Sequence, residues 1–166
     1  MAKLLLLTHR LPYPPDKGDK IHAFHLLQHL ARRHEVRLGT FVDDPLDEQH
    51  VPTVQGLCAD LHVARLRPAQ ARWRAARALL RGEPVTVGCY RDEGLMRWVQ
   101  DIGATHRADA VLVHSSAMLQ YAQALNLPLL ADLNDVDSAK WQDYGERRAW
   151  PMSWVYRREA RHLLQT

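Results

Sequence analysis

The sequence predicts an α/β fold: a doubly wound, mainly parallel sheet with helices on both faces. Two observations carry this. Short continuous apolar runs, "KLLLL" at 3–7 and "AVLV" at 110–113, have the pattern of strands buried on both faces, the hallmark of parallel sheets. Between such runs lie stretches with apolar residues at helical spacing, and strands alternating with helices imply right-handed β-α-β crossovers. A third observation concerns ligands. Polar clusters fall at the ends of the predicted strands, the edge where doubly wound sheets bind them.

The elements follow in order. The first strand covers 3–7 and stops at a corner, "RLPYPPDKGDK" (10–20), with three prolines and one glycine. A helix begins after it, with Ile21, Phe24, Leu27 and Ala31 on one face and Leu30 beside them. Asp19 is its predicted N-cap, and Gly18 lets the chain turn sharply. "EVRLGTFV" (35–42) is the second strand. A turn and a short helix lead to "LHVARL" (61–66), the third. "PAQARWRAARALLRG" is a helix with proline at its start and Gly82 past its end. "RDEGLMRWVQDIGATHR" is a further helix interrupted by Gly94 and Gly103. "ADAVLVHSS" (108–116) is the fourth strand, "AMLQYAQAL" a short helix and "PLLADLND" (128–135) the fifth strand. Two more helical stretches, split by Pro151, complete the chain. The final "RHLLQT" lacks a helix cap, the expected ending of a fragment.

A chain of 166 residues suits one domain with a sizeable core. Its 46% apolar and 25% charged composition is that of an ordinary globular protein. Cys58 and Cys89 lie far apart with no CxxC partner, which fits a reduced cytosolic compartment better than a disulfide or zinc framework. The apolar part of "MAKLLLL" is too short for a signal peptide. No stretch approaches the roughly 20 apolar residues that span a bilayer. The expected location is the cytoplasm, peripheral to a membrane at most.

Three strand-end clusters are the candidate sites. The first is the corner, with Asp16, Lys17, Gly18, Asp19 and Lys20. A helix N-terminus exposes backbone N–H groups and a positive dipole end, so the corner can hold a phosphate or another acidic group, with Lys17 and Lys20 adding charge. The competing account is a rigid proline turn with a capped helix and solvated lysines. One glycine makes neither a dinucleotide fingerprint nor a Walker loop. The second cluster is His114, Ser115 and Ser116. His114 is either a strand-end base or a partly buried histidine bonded to backbone. The third is Asp132, Asn134, Asp135 and Asp137. Asp137 or Ser138 suffices to cap the next helix, which leaves Asp135 as the better functional candidate, a hydroxyl acceptor or general base.

His22, His25 and His29 share a helical face, but "HLLQH" lacks the glutamate of HExxH and no third strong ligand is indicated. A solvated polar face is expected, and no metal. "PYPP" is too short for a polyproline ligand. Between Leu61 and Gly82 there are six arginines (65, 67, 72, 74, 77 and 81) and no acid. Arg74, Arg77 and Arg81 form a stripe beside Ala69, Trp73, Ala76 and Leu80. Two accounts stand: a basic amphipathic helix on an anionic membrane surface, or a helix packed on the sheet whose arginines reach past apolar neighbours into water. Nucleic acid is not an expected partner, since no recognition motif accompanies the charge.

Four strings, "HRLPYPPDKGDKIHAFHLLQHLARRHEVRLGTFVDDP", "GEPVTVGCYRD", "SSAMLQY" and "NDVDSAKWQDYGERRAWPMSWVYRREARHLL", resemble the amino-terminal half of sugar transferases associated with PEP-CTERM/exosortase exopolysaccharide systems. These are family-four-like retaining glycosyltransferases, and the likeness runs nearly end to end. It implies a GT-B architecture of two Rossmann-like domains facing a cleft. This chain (1–166) would be the acceptor-side domain, without the carboxy-terminal donor-binding domain and inactive alone. The whole enzyme would transfer a sugar from a nucleotide-diphosphate donor to a glycan or lipid-linked acceptor, using no cofactor and no catalytic metal, at or near the bacterial inner membrane. The resemblance places Asp16, Lys17, Gly18 and Asp19 near the transferred sugar, and His114 to Ser116 and Asn134 to Asp137 at positions facing the acceptor. A rival from another class is a freestanding, non-catalytic anion-binding or membrane-associated module.

Overall fold

The computed structural model describes residues 1–81 and 85–132. The candidates Asn134, Asp135 and Asp137, Gly82, and the helical stretches around Pro151 lie outside the described residues. Five strands form one all-parallel sheet in the order β3-β2-β1-β4-β5. They are β1 (Lys3–Thr8), β2 (Glu35–Val42), β3 (Asp60–Arg65), β4 (Ala110–His114) and β5 (Leu129–Asp132). The helices are α1 (Gly18–Ala31), α2 (Val51–Gln55), α3 (Pro68–Arg81), α4 (Val85–Cys89), α5 (Glu93–Ala104) and α6 (Leu119–Ala122). Short 3-10 turns at Pro45–His50 and Ser116–Met118 precede α2 and α6. The chain winds outward from β1 to β3, then crosses back to place β4 on the other side of β1. This doubly wound, Rossmann-like arrangement is the predicted fold class.

The four leucines of β1 explain why that strand is central. Leu5 and Leu7 join Phe41, Val111, Val113, Leu95, Val99, Ile102 and Tyr121 in one core. Leu6 joins Leu11, Val36, Leu38, Val54 and Leu27 in the other. Successive strand residues point to opposite faces, so each leucine serves one core only. Leu5, Leu6 and Leu7 have no exposed surface, and each contributes about 1.5–3 kcal/mol of burial. Helices α5 and α6 cover the first face, α1 and α2 the second.

The beginning of α1 departs from the expectation in three ways. Lys17, not Asp19, occupies the N-cap position, and its side chain makes no capping bond; Asp19 lies in the first turn. Gly18 does not adopt a left-handed backbone, and a Cβ there would meet open space, so the corner does not require glycine. The buried face of α1 is Lys20, Ala23 and Leu27, while Ile21 is 42% exposed. Hydrophobic spacing points to Ile21, but the helix is rotated so that the small Ala23 meets the sheet. The Lys20 stem is carried inward with it, and the Lys20 ammonium ends 2.7 Å from Asp47 and 3.4 Å from Asp16.

Helix α5 spans Gly94 and Gly103 without a break. Asp92 caps it, its carboxylate accepting from the Leu95 N–H at 3.0 Å. The short α4 has no counterpart in the sequence expectation. Its Gly88 sits so close to α3 that a Cβ would lie 2.5 Å from that of Ala78, and five residues of modest periodicity give too little pattern to read. At the opposite edge, Leu129 and Leu130 of β5 are 46% and 63% exposed.

Candidate functional site

Strand order reverses between β1 and β4, and a sheet of this kind opens its ligand crevice at the carboxyl ends of the strands beside that reversal. Thr8 of β1 is in register with Thr40 of β2 and His114 of β4, and His114 is in register with Asp132 of β5. The ends of β1, β4 and β5 therefore line up in one row with Thr40, two residues before the end of β2. The Thr8 and Thr40 hydroxyls are buried 2.8 Å apart, and the Thr8 hydroxyl donates to the Arg10 carbonyl at 2.9 Å. His114 and Asp132 in this row, and the residues just past it, carry the chemistry.

His9 and Arg10 follow β1 and face the first turn of α1. His9 Nε2 is 3.2 Å and Arg10 Nη1 3.1 Å from the same Asp19 oxygen, Oδ2. Arg10 Nε donates to Asp43, beyond β2, at 2.8 Å. Burial opposes the charged form of Asp19, but Arg10 and His9 outweigh it and hold its carboxyl below the usual range. Burial would also lower the Arg10 pKa, and Asp43, Tyr90 and Asp19 raise it instead. Burial pushes the His9 pKa down from 6.5, with Asp19 opposing and Arg10 and His114 adding to the effect.

One turn along α1 from Asp19, His22 reaches the other strand ends. Its Nδ1 lies 3.6 Å from Asp132 Oδ2, and His114 Nδ1 approaches the same oxygen at 3.4 Å. One carboxylate oxygen thus sits between two imidazoles. The His114 ring is stacked on His9 (centroids 6.1 Å apart) and edge-on to His22 (5.3 Å), and Tyr90 stands edge-on to His9 at 5.8 Å. His114 is only 2% exposed, and its Nδ1 makes no hydrogen bond among the described residues. His22, Asp132, Arg10 and Asp19 keep open side-chain surface of 45%, 33%, 32% and 27%. These four groups can meet a ligand, with His114 and His9 behind them. Beside Asp132 an open groove of about 230 Å³ runs past Leu26, Leu112 and Leu130.

Ser115 has a φ of 100°. A non-glycine residue in that region is strained by roughly 1–3 kcal/mol, and such strain gathers at ligand sites. The Ser115 N–H remains on the Asp132 carbonyl at 3.3 Å, and Ser116 starts the following 3-10 turn.

The placement of the candidates is mixed. Asp19, His114, Ser115 and Ser116 all come to the carboxyl edge. Asp16 and Lys17 are exposed at the corner. Lys20 points inward, where Asp47 and Asp16 surround it. Its pKa is raised because the Asp47 hydrogen bond and charge outweigh the opposing burial. Around the corner Arg10, Lys17 and Lys20 stand among Asp16, Asp19, Asp43 and Asp47, so acids outnumber cations and the corner is not basic. Helical spacing groups His22 with His25 and His29 as a solvated face. His25 and His29 are exposed, but His22 turns to the strand ends. The available signal is its position three residues after Asp19, which puts both on the side of α1 nearest β1 and β4.

His22, His114 and Asp132 each offer one ligand atom, and these lie within 4.8 Å of one another. That spread suits a three-ligand metal centre, and equally a carboxylate shared by two imidazoles. Among the described residues no helix is long and apolar enough to cross a membrane, and Cys58 and Cys89 are not joined in a disulfide. No protein-family model, no curated protein and no solved structure matches the chain. A functional reading of this edge therefore rests on the fold, the side-chain geometry and the sequence.

Proposed function

We propose that this chain is the acceptor-side domain of a retaining GT-B glycosyltransferase, which transfers a sugar from a nucleotide-diphosphate sugar to a glycan or lipid-linked acceptor in exopolysaccharide synthesis. The observation that carries it is the convergence of His9, His22, His114, Asp19 and Asp132 at the reversal of strand order. Alternating donors and acceptors with open surface on Asp19, His22, Asp132 and Arg10 suit a ligand rich in hydroxyl groups. The family itself rests on the likeness of the four sequence strings at 9–45, 82–92, 115–121 and 134–164.

In this reading the carboxylates accept hydrogen bonds from acceptor hydroxyls. Asp132 Oδ2, 3.4 Å from His114 Nδ1, stands beside the imidazole proposed as the base. Asp135, three residues past Asp132 in sequence, stays in the proposed catalytic group with His114. Asp16, Lys17, Gly18 and Asp19 line the side near the transferred sugar, while Ser115 and Ser116, with Asn134 by the sequence likeness, belong to the acceptor-facing group. Lys20 acts from beneath by fixing the corner. A donor-binding domain completes the cleft, and its helix ends and basic side chains stabilise the leaving diphosphate. The rival of a non-catalytic anion-binding module draws less support, because acids at the corner already pair with Arg10 and Lys20.

The test is sugar transfer by the full-length protein from a panel of nucleotide-diphosphate sugars. Variants His114→Ala, Asp132→Asn and Asp135→Asn are expected to lower turnover on the order of 100-fold, with thermal melts confirming that they fold. A full-length protein that neither binds nor turns over any nucleotide sugar overturns the proposal. A chelator is expected to leave the rate unchanged; loss of activity restored by zinc would assign a metal to His22, His114 and Asp132 instead.

A further inference from the structure

A second surface lies outside that site. Helix α3 packs along α4 through Ala78, which is 3% exposed and meets Gly88 so closely that a Cβ on Gly88 would also lie 3.3 Å from the Arg74 carbonyl. The other side of α3 carries Trp73 and Leu80, 80% and 88% exposed. They are seven residues apart, on one stripe with the exposed Ala69. Single exposed apolar residues are ordinary. A tryptophan and a leucine two turns apart, flanked by arginines, form the pattern of a helix lying in a membrane interface.

The flanking charge identifies the occupant. Arg74, Arg77, Arg81 and Arg91 line an open groove of about 460 Å³, with Asp92 and Glu93 on its far wall. Arg74 leans toward Asp92 at 3.7 Å, and Arg65 at the head of the helix is paired with Glu48. Arg77 and Arg81 are exposed, and neither has an ion-pair partner among the described residues. An apolar stripe beside unmatched cations is complementary to an anionic lipid surface, with acyl chains for the stripe and phosphates for the arginines. Helix α4 leads directly to Tyr90, whose ring touches His9, so a lipid-bound α3–α4 pair would hold the ligand edge near the bilayer.

We propose that α3 docks this chain on an anionic bilayer, with Trp73 and Leu80 in the headgroup region and Arg77 and Arg81 on lipid phosphates. This does not depend on the sugar-transfer reading, and its test uses no catalysis. The chain is cosedimented with vesicles of phosphatidylcholine, alone or mixed with phosphatidylglycerol. Partitioning should favour the anionic vesicles and weaken with salt. Arg77→Gln with Arg81→Gln should reduce it roughly 30-fold, from two arginine contacts at a charged surface. Trp73→Ser with Leu80→Ser should abolish partitioning while circular dichroism stays unchanged. Inorganic phosphate should not compete, since a small anion cannot occupy the apolar stripe. Equal partitioning into neutral and anionic vesicles overturns the proposal, as does full release by inorganic phosphate. A dimer in vesicle-free solution that Trp73→Ser/Leu80→Ser dissolves overturns it in favour of a second copy.

Discussion

The carboxyl edge of the sheet and the outer face of α3 both gather ionisable side chains, and they treat them in opposite ways. At the edge, each group leans on another: Arg10 on Asp19 and Asp43, Lys20 on Asp47 and Asp16, His22 and His114 on Asp132. On α3, Arg77 and Arg81 stand in water beside an uncovered Trp73 and Leu80. The first arrangement is internally matched and costs much to disturb. The second is unmatched among the described residues and costs little to disturb, because its cations stand in water. Burial separates the Lys20–Asp47 pair from α3, since a charge in water is screened and a buried one is not.

The sharpest break of that contrast uses one charge from each region. Lys20→Met leaves Asp47, which is 5% exposed, buried without its cation. The expected loss is about 3–5 kcal/mol of stability, read from urea denaturation. Arg77→Gln should change stability by less than about 0.5 kcal/mol, as exposed substitutions do. Similar losses for the two would mean that Lys20 is solvated in solution and that the edge is not internally matched.

Next in size is the contact that holds α3 in place. Gly88→Ala puts a Cβ where the Ala78 Cβ is only 2.5 Å away, and overpacking of this kind costs about 1–3 kcal/mol. Trp73→Ser with Leu80→Ser, on the opposite side of the same helix, should leave the denaturation midpoint nearly unchanged. If the serine pair destabilises as much as Gly88→Ala, the stripe is covered in solution and its role in lipid docking falls.

The two regions are not equally legible in the sequence. β1 and β4 announce themselves as unbroken apolar runs, and strand alternation with helices is enough to give the doubly wound sheet and its ligand edge. The basic stripe of α3 is also visible, because exposed arginines at helical spacing need no knowledge of the partner element. What sequence cannot supply is the rotation of α1 about its axis. Ile21 and Ala23 are both acceptable core residues. The burial of Ala23 in place of Ile21 carries Lys20 inward and turns His22 toward Asp132. Hence the sequence presents Lys20 as a surface cation and His22 as part of a solvated face. Both errors have the same physical origin: a pairing between residues roughly 25 to 110 positions apart leaves no local periodic trace.

The smallest expected effect is a pH dependence that belongs to the buried side of the comparison. Burial lowers the His9 pKa from 6.5, and it lowers that of His62 in the same direction, with Asp92 and Asp60 opposing. The unfolded chain therefore binds protons more readily than the folded one between each folded value and 6.5. In that window stability decreases as pH falls. The contribution is complete above 6.5 and is lost as pH drops through the folded values. Asp19, lowered from 3.8 chiefly by Arg10 and then His9 against opposing burial, adds a second loss below 3.8 in the same sense. Denaturation midpoints measured from pH 8 to pH 5 should fall, and His9→Gln should flatten part of that fall by removing one of the two histidine contributions. The arginines of α3 stay charged throughout the range, so Arg77→Gln should leave the slope as it is. A midpoint that rises on acidification would mean that His9 is held in its charged form by Asp19, which would make the pair a fixed ion pair rather than a neutral imidazole beside a carboxylate.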